Sequence, residues 1–195
     1  MLVGLAPTVH LTHVSRNVRD ESLPFRQLKN KPVPNQSKIL VVYYSKTGNT
    51  ERVAKDVASR LGADIEEIVD RKKRGGIIGW IFGGRDAMRK SLTEIEIEKD
   101  PKNYDLVIVG TPTWAWNMTP AVRTYLQKVR DGLKNAAYFT TSGNTDPRKI
   151  VSYMEELSGK KAIAFTGFNE QELKNDEIYV EKLSVFTDAL GKFKR

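Results

Sequence analysis

The chain reads as an α/β protein built on a mainly parallel sheet, and three observations carry that expectation. Apolar runs without alternation, at 39–44 and 105–110, suit strands covered on both faces. Each run opens through a polar turn into a pattern of helical period, beginning with Val53, Ala54, Val57, Ala58 and Leu61. The size and composition, 195 residues with 39% apolar and 29% charged, suit one substantial globular core.

Residues 1–37 stand apart from the rest. Pro7, Pro24, Pro32 and Pro34 break the pattern, and Met1 to Val14 lacks the charged start and unbroken apolar run of a signal peptide. They are expected to be an extension, a linker or a strap, with the folded domain at 38–195. The first strand ends at Ser45-Lys46-Thr47-Gly48-Asn49-Thr50. A strand, a tight hydroxyl-rich turn and a helix N-terminus make an anion site, because unpaired amides and the helix dipole face the same point. Gly48 permits close approach or a positive φ, and Gly62 stands where a C-cap belongs. An ordinary βα turn with a Ser/Thr cap is the alternative. The Walker A and Rossmann glycine patterns are both absent.

Asp64 to Val69, with Ile65, Ile68 and Val69 among acids, fits a half-covered edge strand. Residues 71–92 open with a run of four basic residues, then two glycine pairs bracketing Ile77 to Phe82, with a helix expected from about Asp86. A crossover packed on the sheet, a flap or subunit contact, and a basic-aromatic membrane-surface patch are the three readings of it. The run at 105–110 opens into Thr111-Pro112-Thr113-Trp114-Ala115-Trp116-Asn117-Met118, read as a loop, before Thr119 and Pro120 start a helix. Two indoles in a short polar loop suit stacking against a flat conjugated ring. Burial of one Trp under the loop, with the other covering an interface, is the alternative. Residues 135–140 are the fourth strand, ending in Thr141-Ser142-Gly143-Asn144, and Asp146-Pro147 starts the next helix, closed by Gly159. Residues 160–165 are the fifth strand. A last helix from about Asp176 turns Ile178, Leu183, Phe186, Leu190 and Phe193 inward.

Composition excludes several chemistries. Without cysteine there is no disulfide, Fe–S cluster, thiolate nucleophile or Cys-based zinc site. Both histidines, His10 and His13, lie in the tail. Redox chemistry would therefore come from an organic cofactor, with no catalytic side chain and no metal site expected. No run reaches the ~20 apolar residues of a membrane span. The net charge of +8 is spread along the chain without a nucleic-acid signature, so no nucleic-acid partner is expected.

The motif Ser45-x-Thr47-Gly48-Asn49-Thr50 after a buried strand resembles the FMN phosphate loop of the flavodoxin family. Gly110-Thr111-Pro112-Thr113-Trp114 resembles the segment beside the flavin ring, and 141–145 matches the third flavin loop in position, without the aromatic that many members place there. The likeness covers roughly residues 38–195. It implies a flavodoxin-like, doubly wound, five-stranded parallel sheet of order 2-1-3-4-5 with helices on both faces. It implies FMN as cofactor, bound by Ser45, Lys46, Thr47, Gly48, Asn49, Thr50, Pro112, Thr113, Trp114, Ala115, Trp116, Asn117, Thr141, Ser142, Gly143 and Asn144. The implied function is an FMN-dependent, cytoplasmic oxidoreductase passing electrons from NAD(P)H to a quinone-like acceptor.

A non-enzymatic electron carrier is the second reading. Family carriers are typically acidic, whereas this domain has 27 Lys+Arg against 22 Asp+Glu, after 5 and 2 in the tail. A basic carrier would favour an acidic electron-transfer protein. A receiver-like signalling module, the third reading, needs acids at strand ends where Tyr44 and Ser45 stand. If the chain is a homo-oligomer, residues 71–92 or the N-terminal arm are the expected contacts.

Overall fold

The computed structural model describes residues 37–71 and 92–193. The expectations for the N-terminal extension, for the segment at 71–92 beyond its ends and for the helix near Asp86 lie outside those residues. Five parallel strands form the sheet: β1 (Ile39–Tyr43), β2 (Asp64–Glu67), β5 (Leu106–Trp114), β7 (Ala136–Ser142) and β8 (Ala162–Asn169). Their order is β2-β1-β5-β7-β8, which is the expected 2-1-3-4-5.

Alternate residues of the central strands feed two separate cores, because the side-chain period of a strand is two. Leu40, Val42, Val107, Val109, Ala136 and Tyr138 pack against α2 (Pro120–Val129) and α3 (Pro147–Ser158). Ile39, Val41, Leu106, Ile108, Ala137 and Phe139 pack against α1 (Asn49–Leu61) and α5 (Asp176–Leu190). Burial on both faces explains why these strands read as unbroken apolar runs. Gly110 pairs with Phe139 across the sheet, and a Cβ there would come within 2.1 Å of the Phe139 ring. That contact requires glycine.

Helix ends follow the sequence signals closely. Gly62 and Gly159 close α1 and α3 with φ of 63° and 67°. Asp146 caps α3 by accepting from the Arg148 N–H, with Pro147 in the first turn.

Four expectations need correction. The stretch at 111–119 is no loop: β5 runs on to Trp114 and returns as β6 (Asn117–Met118), pairing Thr113 with Met118 and Trp114 with Asn117. The fifth strand extends to Asn169, with a register shift against β7 between Ala136 and Tyr138. In α5 it is Tyr179, with Leu183, Phe186 and Leu190, that turns inward, while Ile178 is 40% exposed. In the edge strand β2, Glu66 is buried and Ile65 faces out. Glu66 Oε1 accepts from the backbone N–H groups of Glu98 and Lys99, so the carboxylate staples that segment to the sheet edge.

Sequence reading also missed several short elements. β3 (Val69–Asp70) pairs antiparallel with β4 (Ile95–Glu96), and α4 (Glu170–Lys174) starts with a capping box of Asn169 and Glu172. The two-residue strands are too short to show any period.

Candidate functional site

The C-terminal ends of β1, β5 and β7 are neighbours, so the three segments singled out in the sequence meet at one edge of the sheet. An open parallel sheet binds ligands there, because helix N-termini converge on it.

The first segment turns sharply after Tyr43. Ser45 Oγ accepts from the Gly48 N–H at 3.2 Å, and Gly48 adopts φ 89° at the head of α1. Gly48 has no side chain to cap the helix, and a Cβ there would meet nothing within 4 Å. The first turn of α1 is thus open toward the sheet edge, the arrangement that takes an anion. Lys46, Thr47 and Asn49 are exposed around it. Thr50 is buried, and its Oγ1 lies 2.8 Å from Oγ1 of Thr141, joining the first segment to the third. Of two bonded hydroxyls one donates to the other, which leaves one proton to offer elsewhere.

The second segment is the β5–β6 hairpin. Ala115 and Trp116 form its two-residue turn with φ of 45° and 58°. Hairpin turns of this hand favour Asn-Gly, so Ala-Trp is a strained choice. Trp114 is pinned: Tyr44 meets it edge-on with ring centroids 5.7 Å apart, and Lys46 Nζ sits 5.4 Å from its centroid. Trp116 is 67% exposed. In the same hairpin, Thr113 Oγ1 is buried with no hydrogen-bond partner among the described residues. A buried, unsatisfied hydroxyl indicates a missing acceptor or donor.

Pro112 lies within β5, paired with Thr141, and Thr111 Oγ1 donates to its carbonyl. Asn117 turns inward, its Oδ1 accepting from the Met118 N–H at 2.9 Å and from Arg123 Nη2 at 2.8 Å.

The third segment leaves β7 at Ser142, whose Oγ accepts from the Thr145 N–H at 3.0 Å. Gly143 and Asn144 are exposed at its tip.

Charge near the first segment is mixed. Burial, then Glu67 and Glu51, push the Tyr43 hydroxyl up to about 12. Burial and then Glu51 raise the Glu67 carboxyl, against the pull of Lys55. Glu67 ends β2, Glu51 lies in the first turn of α1 paired with Lys55, and the open turn at Gly48 carries Lys46.

Of the sixteen expected site residues, the first turn of α1, the hairpin and the β7 end thus come together, with Asn117 buried and Trp114 half-buried. Tyr44 and Arg123 went unnoticed in the sequence as partners of these residues. For Arg123 there was a signal: a cation in the first turn of α2, on a stretch flanked by Ala121, Val122, Tyr125 and Leu126.

No family model matches the chain. A curated NAD(P)H dehydrogenase (quinone) from Chromohalobacter salexigens is 30% identical over 95 residues. That match covers 47% of this chain and 47% of the relative, so the chain aligns with about half of its length. A flavoprotein from Lactobacillus acidophilus, solved in complex with FMN, superposes with a TM-score of 0.60 at 23% identity, over 71% of this chain and 97% of that one. An archaeal flavodoxin does so with a TM-score of 0.52 at 16% identity, over 81% and 99%. Together with the strand order, these likenesses show that the chain has the flavodoxin-like fold.

Proposed function

We propose that the chain binds FMN across the three segments and acts as a cytoplasmic redox protein. It would pass electrons from NAD(P)H or a protein donor to a quinone-like or protein acceptor. The observation that carries this reading is one shelf with two unlike ends. At one end is an uncapped helix N-terminus with a positive-φ glycine, and at the other a hairpin that carries both an exposed indole and an unsatisfied buried hydroxyl. The residues fit the cofactor: Thr47, Asn49 and the first-turn amides of α1 would hold its phosphate. Trp116 would cover the flat ring, and Thr113 Oγ1 would find its missing partner at a polar edge.

Bound flavin supplies the electron transfer itself. The chain's part is to orient it. Lys46 and Tyr44 immobilise Trp114, which walls one side of the shelf, and the Thr50–Thr141 bond keeps the phosphate end at a set distance from the β7 end. The similarity to a curated quinone reductase supports a quinone-like acceptor. The basic balance of the domain favours the alternative carrier role only with an acidic partner protein.

The test is the spectrum of the purified protein and an FMN titration. Yellow protein, or tight uptake of added FMN, is the expected result, and colourless protein that takes up none overturns the proposal. NADH and NADPH oxidation with and without a quinone then decides between enzyme and carrier.

A further inference from the structure

The turn at the tip of the β5–β6 hairpin is costly. Two successive non-glycine residues, Ala115 and Trp116, occupy left-handed backbone, and such strain persists only where surrounding contacts over-determine it. The contacts lie on the return strand. Asn117 pairs with Trp114, and its side chain is bent back so that Oδ1 receives both the Met118 N–H and Arg123 Nη2.

Arg123 is itself an anomaly. It is 4% exposed and sits in the first turn of α2, where the helix dipole opposes a cation. Burial lowers its pKa, against the pull of Glu156, yet a guanidinium keeps its proton in a protein. No ion pair holds it among the described residues, and its Nε has no partner. An arginine needed only for packing would be replaced by an apolar residue of similar volume at little loss. Its directed bond to Asn117 is what an apolar residue would lack.

We propose that Arg123 is a positioning residue for the Ala115–Trp116 turn. Through Asn117 Oδ1 it locks the return strand in the register that forces both residues left-handed and so presents the Trp116 indole outward. The bond needs a donor that reaches Asn117 from α2 through a dry interior, which guanidinium does and a methionine of similar volume does not. The locking is a property of this chain alone. Its consequence for a flat ligand rests on the FMN reading.

The test uses the full-length protein free of flavin and compares Arg123→Met, Arg123→Lys and Asn117→Ala. Amide resonances of Ala115 and Trp116 should shift, and their hydrogen exchange should quicken at least tenfold, in Arg123→Met, while β1 and β7 amides keep their protection. Arg123→Met combined with Asn117→Ala should do no more than either alone, since both cut one link. A folded Arg123→Met with an unchanged turn, or single effects that add, overturns the proposal. Should Arg123→Met fail to fold, Arg123→Lys, which keeps the cation without the fork, must still disturb the turn. An undisturbed turn there overturns it equally. In a second measurement, FMN affinity should fall about tenfold in Arg123→Met, while protection by inorganic phosphate alone is unchanged. Equal losses for both would mean a general structural role and overturn the proposal. Wild-type protein that binds no FMN refutes the flavin reading and leaves the turn measurements to decide this one.

Discussion

Trp116 shows how one residue can serve a site at the expense of the fold. Its backbone is strained at φ 58° and the residue is 67% exposed, so it contributes little packing in return. Trp116→Gly removes the strain and should stabilise the flavin-free protein by about 1 kcal/mol, read as a shift in urea midpoint at constant m. The same change should weaken FMN binding at least tenfold. A variant that is both less stable and equally tight for FMN would show that the indole packs inward and leaves the ring uncovered. Buried Tyr125 gives the converse case. Its hydroxyl has no partner among the described residues, and burial, then Glu66, raises its pKa well above the ordinary tyrosine value. Deleting an unsatisfied buried hydroxyl removes a desolvation penalty, so Tyr125→Phe should be neutral or stabilise by up to about 1 kcal/mol. A loss in thermal midpoint would reveal a partner for that oxygen.

At the scale of elements, Asp105 joins the start of β5 to that of β1. Its carboxylate accepts from the Lys38 N–H at 3.0 Å and from Lys134 Nζ at 3.0 Å, and the Lys38 contact, then Lys134, lowers its pKa. A carboxyl held below its usual value binds fewer protons folded than unfolded. Its contribution is therefore complete above the unfolded value of about 3.9 and fades as the pH falls through the lower native one. Thermal midpoints of wild type and Asp105→Asn should differ at pH 7 and converge at acid pH. A constant gap would deny the linkage. The buried parallel strands and the capped helices were legible because each rests on a local signal: an apolar run, a proline at N1 or a glycine at C′. The hairpin was not legible. Thr113 to Met118 resembles a loop in composition, and Ala-Trp is not a turn pair that sequence rules favour, so only cross-strand pairing reveals it. The inward turn of Glu66 is hidden for a similar reason, since the amides of Glu98 and Lys99 that it serves are more than thirty residues away.

For the molecule as a whole, the net charge of +8 bears on how an anionic ligand arrives. A positive field raises encounter rates with anions and is lost as salt shortens the Debye length from about 30 Å at 0.01 M to about 3 Å at 1 M. FMN association, followed by stopped-flow fluorescence, should slow across that range, whereas riboflavin, which lacks the phosphate, should not. Equal salt dependence for the two would place the steering elsewhere than on the phosphate. The sequence alone determined the α/β class, the strands at the core, and which three segments carry the polar and aromatic groups, because those depend on periodicity and short-range caps. Tertiary structure decided which of two neighbouring indoles is free and which is pinned by Tyr44 and Lys46. It also decided that Thr113 is left without a partner among the described residues while Asn117 is engaged by Arg123. Those outcomes depend on side chains brought together from different strands and helices, and only the folded packing sets such distances.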